Sequence, residues 1–140
     1  MIDKQYLIAL NKKILEIFAK RYPGTPNLFV VRNEIDDVLP MVESVGKSGD
    51  KKKDLIEKAA YLMAYISWAQ PFGDGNKRTG WISATKFLRD NGYDLDLSTS
   101  EDQKEIRSLL YDIQDERTSL DQSVVKQIIF YISKRIHKHE

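Results

Sequence analysis

Apolar residues recur every three or four positions along most of this chain, with charged residues filling the gaps. That period predicts helices nearly throughout. The first runs from Asp3 to about Lys20, with Leu7, Leu10, Ile14, Ile17 and Phe18 on one stripe. Two prolines and a glycine in Tyr22–Asn27 stop it. Asn33 then reads as an N-cap, with Glu34, Asp36 and Asp37 favouring a helix start. Pro40 either kinks that helix or opens a new one. Residues 42–54, VESVGKSGDKKKD, read as a flexible, solvated connection. Asp54 to Ala69 is the most apolar stretch, with Leu55, Ile56, Ala59, Ala60, Leu62, Met63, Ile66 and Trp68 on more than one face. This marks a central, largely buried helix. Pro71 ends it and steers residue 70 toward extended geometry.

A second central helix spans about Asn76 to Asn91, turning Trp81, Ala84, Thr85, Phe87 and Leu88 to its neighbours, with Asn91-Gly92 as its stop. Ser100 with Gln103, and Ser119 with Gln122, have capping-box spacing. Behind them run the stripes Ile106, Leu109, Leu110, Ile113 and Val124, Val125, Ile128, Ile129, Ile132, Ile136. Strand alternation is confined to a short piece around Tyr93–Leu97. The pattern predicts an all-α, compact single-domain bundle of about six helices over residues 1–140.

Composition narrows the function. A chain of 140 residues is long enough for one self-sufficient core. With no cysteine, thiolate nucleophiles, disulfides and Cys-based metal sites are excluded. A net charge of +1 gives no electrostatic reason to expect nucleic acid. No apolar run is long enough to span a membrane, and charges interrupt any signal-peptide layout in Met1–Lys20. The expectation is a soluble cytoplasmic domain. His137 and His139 are the only histidines and read as part of a frayed, solvated tail.

Chemistry concentrates in Gln70–Gly80, QPFGDGNKRTG, between the two central helices. A Gly-rich loop feeding a helix N-terminus suits an anion, because unpaired N–H groups and the helix dipole both face it. Gly73 and Gly75 allow close backbone approach. Lys77 and Arg78 offer cations to phosphate oxygens, and Asp74 a hard carboxylate for Mg²⁺. Phe72 reads as an apolar anchor, Thr79 as a local hydrogen-bonding residue and Trp81 as a packing residue.

Phe72, Asp74, Gly75, Asn76, Lys77 and Arg78 stand in the order of the signature of the Fic/Doc (Fido) proteins, which this chain resembles. The Asn-Lys-Arg-Thr run is closer to the Doc (death-on-curing) branch, as are LIALNKKI, VRNEIDDVL and FLRDNGYDL. The resemblance implies a Fido fold and a transferase that uses ATP and Mg²⁺ to move a phosphoryl or AMP group onto a protein hydroxyl. It assigns the nucleotide phosphates to Gly73, Gly75, Asn76, Lys77 and Arg78, and the metal to Asp74. It also implies a target-holding flap, placed near Glu43, Ser44, Val45 and Gly46, where residue types alone suggest a surface loop. In the Doc branch the target is elongation factor Tu, and the toxin is paired with an antitoxin polypeptide.

One departure bears on activity. Gln70 occupies the position of the family's catalytic His, and a carboxamide has no useful basicity at neutral pH. Three readings stay open: an active Doc-like transferase, a weakened relative that binds nucleotide or protein, and an enzyme whose His was deliberately exchanged. Trp81 replaces the second Arg of the Fic signature. With Lys77 beside the phosphates, that favours phosphoryl transfer over AMP transfer. No Ser or Thr is followed four residues on by Glu, so the built-in inhibitory motif of some Fic proteins is absent and a separate inhibitor is expected.

Overall fold

The computed structural model describes residues 2–26, 28–96, 99–115 and 118–140. Asn27 and Leu97, the ends of the expected loop and strand, lie outside them. The described residues form six helices and a two-stranded sheet: α1 Lys4–Arg21, α2 Ile35–Glu43, α3 Lys51–Ala69, α4 Asn76–Asp90, β1 Tyr93–Leu95, α5 Ser100–Asp115, α6 Gln122–Arg135 and β2 Ile136–Lys138. The all-α expectation holds.

Helix α3 is the hub. It packs against α2, α4, α5 and α6, while α1 leans on α4 and α2. Ten of its residues are buried, among them Ala59, Ala60, Met63, Ala64 and Ile66. Its start is set by Asp50, whose side chain accepts from the Lys53 N–H at 3.1 Å. The preceding turn, expected to be flexible, is tied by the Asp54 carboxylate. That group accepts from the Ser48 N–H (2.9 Å), the Ser48 hydroxyl (2.6 Å) and the Gly49 N–H (3.0 Å). These bonds hold the Asp54 carboxyl below the usual carboxylate range. The Lys58 ammonium donates to the carbonyls of Val42 and Val45 and so closes α2 onto α3.

Four expectations shift. In α1 the buried stripe is Leu7, Asn11, Ile14 and Leu15, whereas Ile17 and Phe18 are exposed. The residues i, i+4, i+7, i+8 face α4, and the polar Asn11 had disguised that stripe. Helix α2 starts at Ile35 without a side-chain cap, and Pro40 sits inside it rather than breaking it. Thr99, not Ser100, caps α5 by accepting from the Asp102 N–H at 3.1 Å. Asp121, not Ser119, caps α6, accepting from the Ser123 and Val124 N–H groups.

The tail is the largest correction. Residues 136–138 pair antiparallel with β1, Tyr93 opposite Lys138 and Leu95 opposite Ile136. The Asp96 N–H donates to the Arg135 carbonyl at 2.8 Å and the His139 N–H to the Gly92 carbonyl at 2.9 Å. His139 Nδ1 also lies 2.5 Å from Asp94 Oδ2. Nothing in the tail's own composition announces these bonds, because every partner lies about forty residues or more upstream.

Candidate functional site

Helix α3 ends at Ala69 and α4 begins at Asn76, so Gln70–Gly75 is a short crossover between the two most tightly packed helices. Gln70 does not take the extended geometry expected before a proline. It has φ 51° and ψ 60°, and it is the sole non-glycine residue with positive φ among those described. Its N–H donates to the Ile66 carbonyl at 3.1 Å. Helices often close through a left-handed residue, and here that closure overrides the proline's preference. The Gln70 side chain is half-buried and makes no hydrogen bond to the described residues.

Phe72 is fully buried and anchors the loop in the core. Asn76 fastens it from both sides: its Oδ1 accepts from the Phe72 N–H at 3.1 Å, and its Nδ2 donates to the Phe72 carbonyl at 3.1 Å. Both polar atoms of the Asn76 amide are thus engaged within the loop, which makes it a loop clasp before it is a phosphate contact. Gly73 lies against the chain at Leu28. A Cβ built there would stand 2.2 Å from the Leu28 carbonyl oxygen, so only glycine fits. Gly75 has φ 72° and precedes α4 without any side-chain cap. The first-turn N–H groups of α4 therefore have no side chain over them, the arrangement that favours an anion. Asp74 is exposed and its Oδ1 accepts from the Gly75 N–H at 2.7 Å.

The two cations part company. Arg78 is exposed, and its guanidinium has no ion pair or hydrogen bond among the described residues. Lys77 is turned away to α5. Its ammonium donates to Gln114 Oε1 and lies 4.3 Å from the centre of the Tyr111 ring. Burial pulls its pKa below the usual lysine range, with Asp74 and Asp115 acting in the opposite sense. The expectation that Lys77 stands beside Arg78 at the phosphates is not met by this arrangement. Trp81 packs edge-on to Tyr131 at 6.5 Å and supplies no charge to the site.

Two residues of the site escaped sequence reading. Asn11 on α1 is fully buried, and its Nδ2 donates to the Asp74 carbonyl at 2.7 Å and to the Thr79 hydroxyl at 3.2 Å. It ties the loop to the first turn of α4, and Thr79, expected to bond locally, accepts this bond from a helix 68 residues upstream. The available signals were a polar position inside an amphipathic stripe and its place in the Doc-like stretch LIALNKKI. Arg32, just before α2, donates from Nη1 to the carbonyls of Gln70 (2.9 Å) and Phe72. Its N–H donates to the Pro71 carbonyl at 2.7 Å, and Val31 bridges Phe72 in antiparallel fashion. Arg32 lies in the Doc-like stretch VRNEIDDVL, but nothing there assigns it a role at the loop.

The segment lying beside the loop is therefore residues 28–32. Glu43, Ser44, Val45 and Gly46, expected as a flap, sit at the opposite end of α3, packed near Asp54 and Lys58. From Asp54 and Lys58 to Gln70 the helix rises about 18–24 Å, which keeps these residues away from the loop. His137 and His139 lie beside β1, beyond the far end of α4, roughly 22 Å of helix from Gly75. Neither is placed to act at the loop.

The site's parts are a helix N-terminus without a side-chain cap, a glycine turn, an exposed acid and an arginine with no partner among the described residues, set in a loop between two core helices. The model of the Fic/DOC family matches residues 1–88, which include α1 to α3, the whole loop and most of α4. That is more than half of the chain, and the chain belongs to the Fic/DOC family. No curated protein matches it. No helix among the described residues is long and apolar enough to cross a membrane.

Proposed function

We propose that this chain is a Doc-like Fido protein that binds Mg-ATP at the Gly73–Arg78 loop and transfers its phosphoryl group to a hydroxyl of a target protein. The observation that carries this reading is the open N-terminus of α4, with Arg78 beside it and without a partner among the described residues, in a chain of this family. The α- and β-phosphates would lie on the first-turn N–H groups of α4, and Arg78 would neutralise one of them. Among the described residues no group of three or more acidic or His side chains gathers to hold a metal. Mg²⁺ would therefore ride on the nucleotide, with the Asp74 carboxylate as its protein ligand. That carboxylate suits the ion, being an exposed hard oxygen donor at the helix start.

In the reaction the target hydroxyl oxygen forms a bond to phosphorus as the bond to ADP breaks, and its proton must be accepted. Positioning and charge stabilisation dominate such transfers. Gln70 can hold the hydroxyl by a hydrogen bond but cannot take its proton, so activity with Gln70 is low. A phosphoryl rather than an AMP product is the Doc-branch expectation, and Trp81, which offers no cation to the distal phosphates, supports it. A target segment would meet residues 28–32, the chain that borders the loop. A toxin role on an elongation-factor target, opposed by an antitoxin and set in the cytoplasm, belongs to this reading.

Gln70 itself favours one other reading, a binding module that keeps nucleotide and has lost transfer. Gln70→His separates the two. Incubated with bacterial lysate and ATP labelled at the γ or the α position, the variant is expected to label a protein from the γ position about 10²-fold above the parent. Label from the α position would replace phosphoryl by AMP transfer. A variant that binds Mg-ATP yet labels nothing would establish the binding module instead.

A further inference from the structure

Three successive peptide carbonyls of the loop are held by one residue. The Arg32 N–H takes the Pro71 carbonyl, and Arg32 Nη1 takes the carbonyls of Gln70 and Phe72 on either side of it. The first of the three belongs to the strained position. Gln70 sits at φ 51°, ψ 60°, a region that L-residues occupy at a cost, and the following proline disfavours it further. Such a conformation persists only where its surroundings over-determine it. On the N-terminal side the bond from the Gln70 N–H to Ile66 fixes the chain. On the other side the orientation of the Gln70 carbonyl is set by ψ. Rotating residue 70 to the extended value that a proline favours would swing that oxygen off the guanidinium. Asn76 cannot substitute for this hold, because both its amide atoms are spent on Phe72.

We propose that Arg32 is a positioning residue: it clamps residue 70 in the left-handed conformation and so fixes the direction in which the side chain at this position, which the proposed function puts against the target hydroxyl, leaves the loop. Arg32 touches neither nucleotide nor target in this account and acts through the loop peptides it holds, of which that of residue 70 sets the side chain's direction. The consequence for transfer rests on the proposed function, whereas the clamp itself does not.

The test uses Arg32→Met, which keeps the stem and removes the donors, and Arg32→Lys, which keeps a cationic donor. In the chain with Gln70, the Cα and Cβ chemical shifts of residue 70 are expected to move from left-handed toward extended values in Arg32→Met and less far in Arg32→Lys. Adding Gln70→Gly to Arg32→Met is expected to return the Cα and Cβ chemical shifts of Pro71 and Phe72 toward their original values, because glycine holds the left-handed turn unaided. A purely structural arginine would not be rescued by glycine at a different position. In the Gln70→His background, Arg32→Met is expected to lower the transfer rate about 10²-fold, the cost of a misplaced group, while the Mg-ATP dissociation constant stays within about threefold. Unchanged residue 70 shifts in Arg32→Met, or no rescue by glycine, would overturn the clamp. If Gln70→His with Arg32 intact transfers nothing, the functional reading falls and the shifts alone decide the clamp. If Arg32→Met fails to fold, recovery of the fold by Gln70→Gly supports the clamp and continued failure overturns it.

Discussion

Single atoms decide the geometry of the α3–α4 crossover. Gly80 lies within α4, where glycine is a poor helix former by about 1 kcal/mol relative to alanine. Its use is explained by Met63 on α3: a Cβ at position 80 would stand 2.9 Å from the Met63 carbonyl oxygen. Overpacking of this kind costs about 1–3 kcal/mol, which outweighs the gain in propensity. Gly80→Ala is therefore expected to destabilise the protein by about 1 kcal/mol in urea denaturation, and a stabilised variant would contradict the close packing of the two helices. Asn11 poses the converse problem. Its Nδ2 serves Asp74 and Thr79, yet its Oδ1 is buried without a partner among the described residues. Retaining such a costly amide is reasonable only if the loop depends on it. Asn11→Ala leaves two buried acceptors unpaired and is expected to cost about 1–3 kcal/mol, with the amide signals of residues 74–79 broadening or shifting in the same spectrum.

At the level of elements, what could be read in the sequence was whatever a helix or loop carries within itself. The motif Phe72–Arg78 is contiguous, and the stripe Ile106, Leu109, Leu110, Ile113 is buried as its period predicts. What could not be read were contacts between elements. Arg32 reaches residues 38 and 40 positions away, Asn11 reaches 63 and 68, and Lys77 finds Gln114 at 37. The family signature put Lys77 among phosphate ligands, and only the packing of α5 on α4 reveals a competing partner. Lys77→Met is accordingly expected to leave Mg-ATP affinity within about twofold, because the lost ammonium served the Gln114 contact. The tail follows the same logic. Hydrogen bonding from His139, and then Arg89, holds the Asp94 carboxyl below the usual carboxylate range. A carboxyl lowered by folding stabilises above its unfolded value of about 3.9 and loses that contribution as pH falls through the folded value. Amide-exchange protection of β1 and β2 is thus expected to persist down to about pH 4 and to fail below it. In Asp94→Asn the protection should already be reduced at neutral pH.

The whole molecule is a bundle around α3, with α4, α5 and α6 knotted together at Tyr131. That side chain is 1% exposed, donates its hydroxyl to the Asp102 carbonyl at 2.7 Å and meets Trp81 edge-on. The Arg135 guanidinium lies 3.7 Å over its ring and also pairs with Asp102 at 2.7 Å. Burial pushes the Tyr131 hydroxyl up to about 12; Arg135 acts against this, and Asp102 and Glu105 add to it. A group raised on folding stabilises fully below its unfolded value, about 10 for tyrosine, and that stability is lost as pH rises toward the folded value. The loss amounts to about 2–3 kcal/mol at most, at about 1.4 kcal/mol per tenfold. Thermal unfolding followed between about pH 9 and 12 should show this decline, and Tyr131→Phe should flatten it. This knot fastens α4, α5 and α6 to one another, and at the start of α4 the exposed Asp74 and Arg78 form an open face. The central claim is that this open face grips a nucleotide through Arg78 even with Gln70 in place. Calorimetric titration of the unaltered chain with Mg-ATP, beside Arg78→Ala, tests it most directly. Binding to the parent, weakened by about 1.5–3 kcal/mol in the variant, is the predicted result. No binding to the parent, or equal affinity in the two proteins, would contradict it.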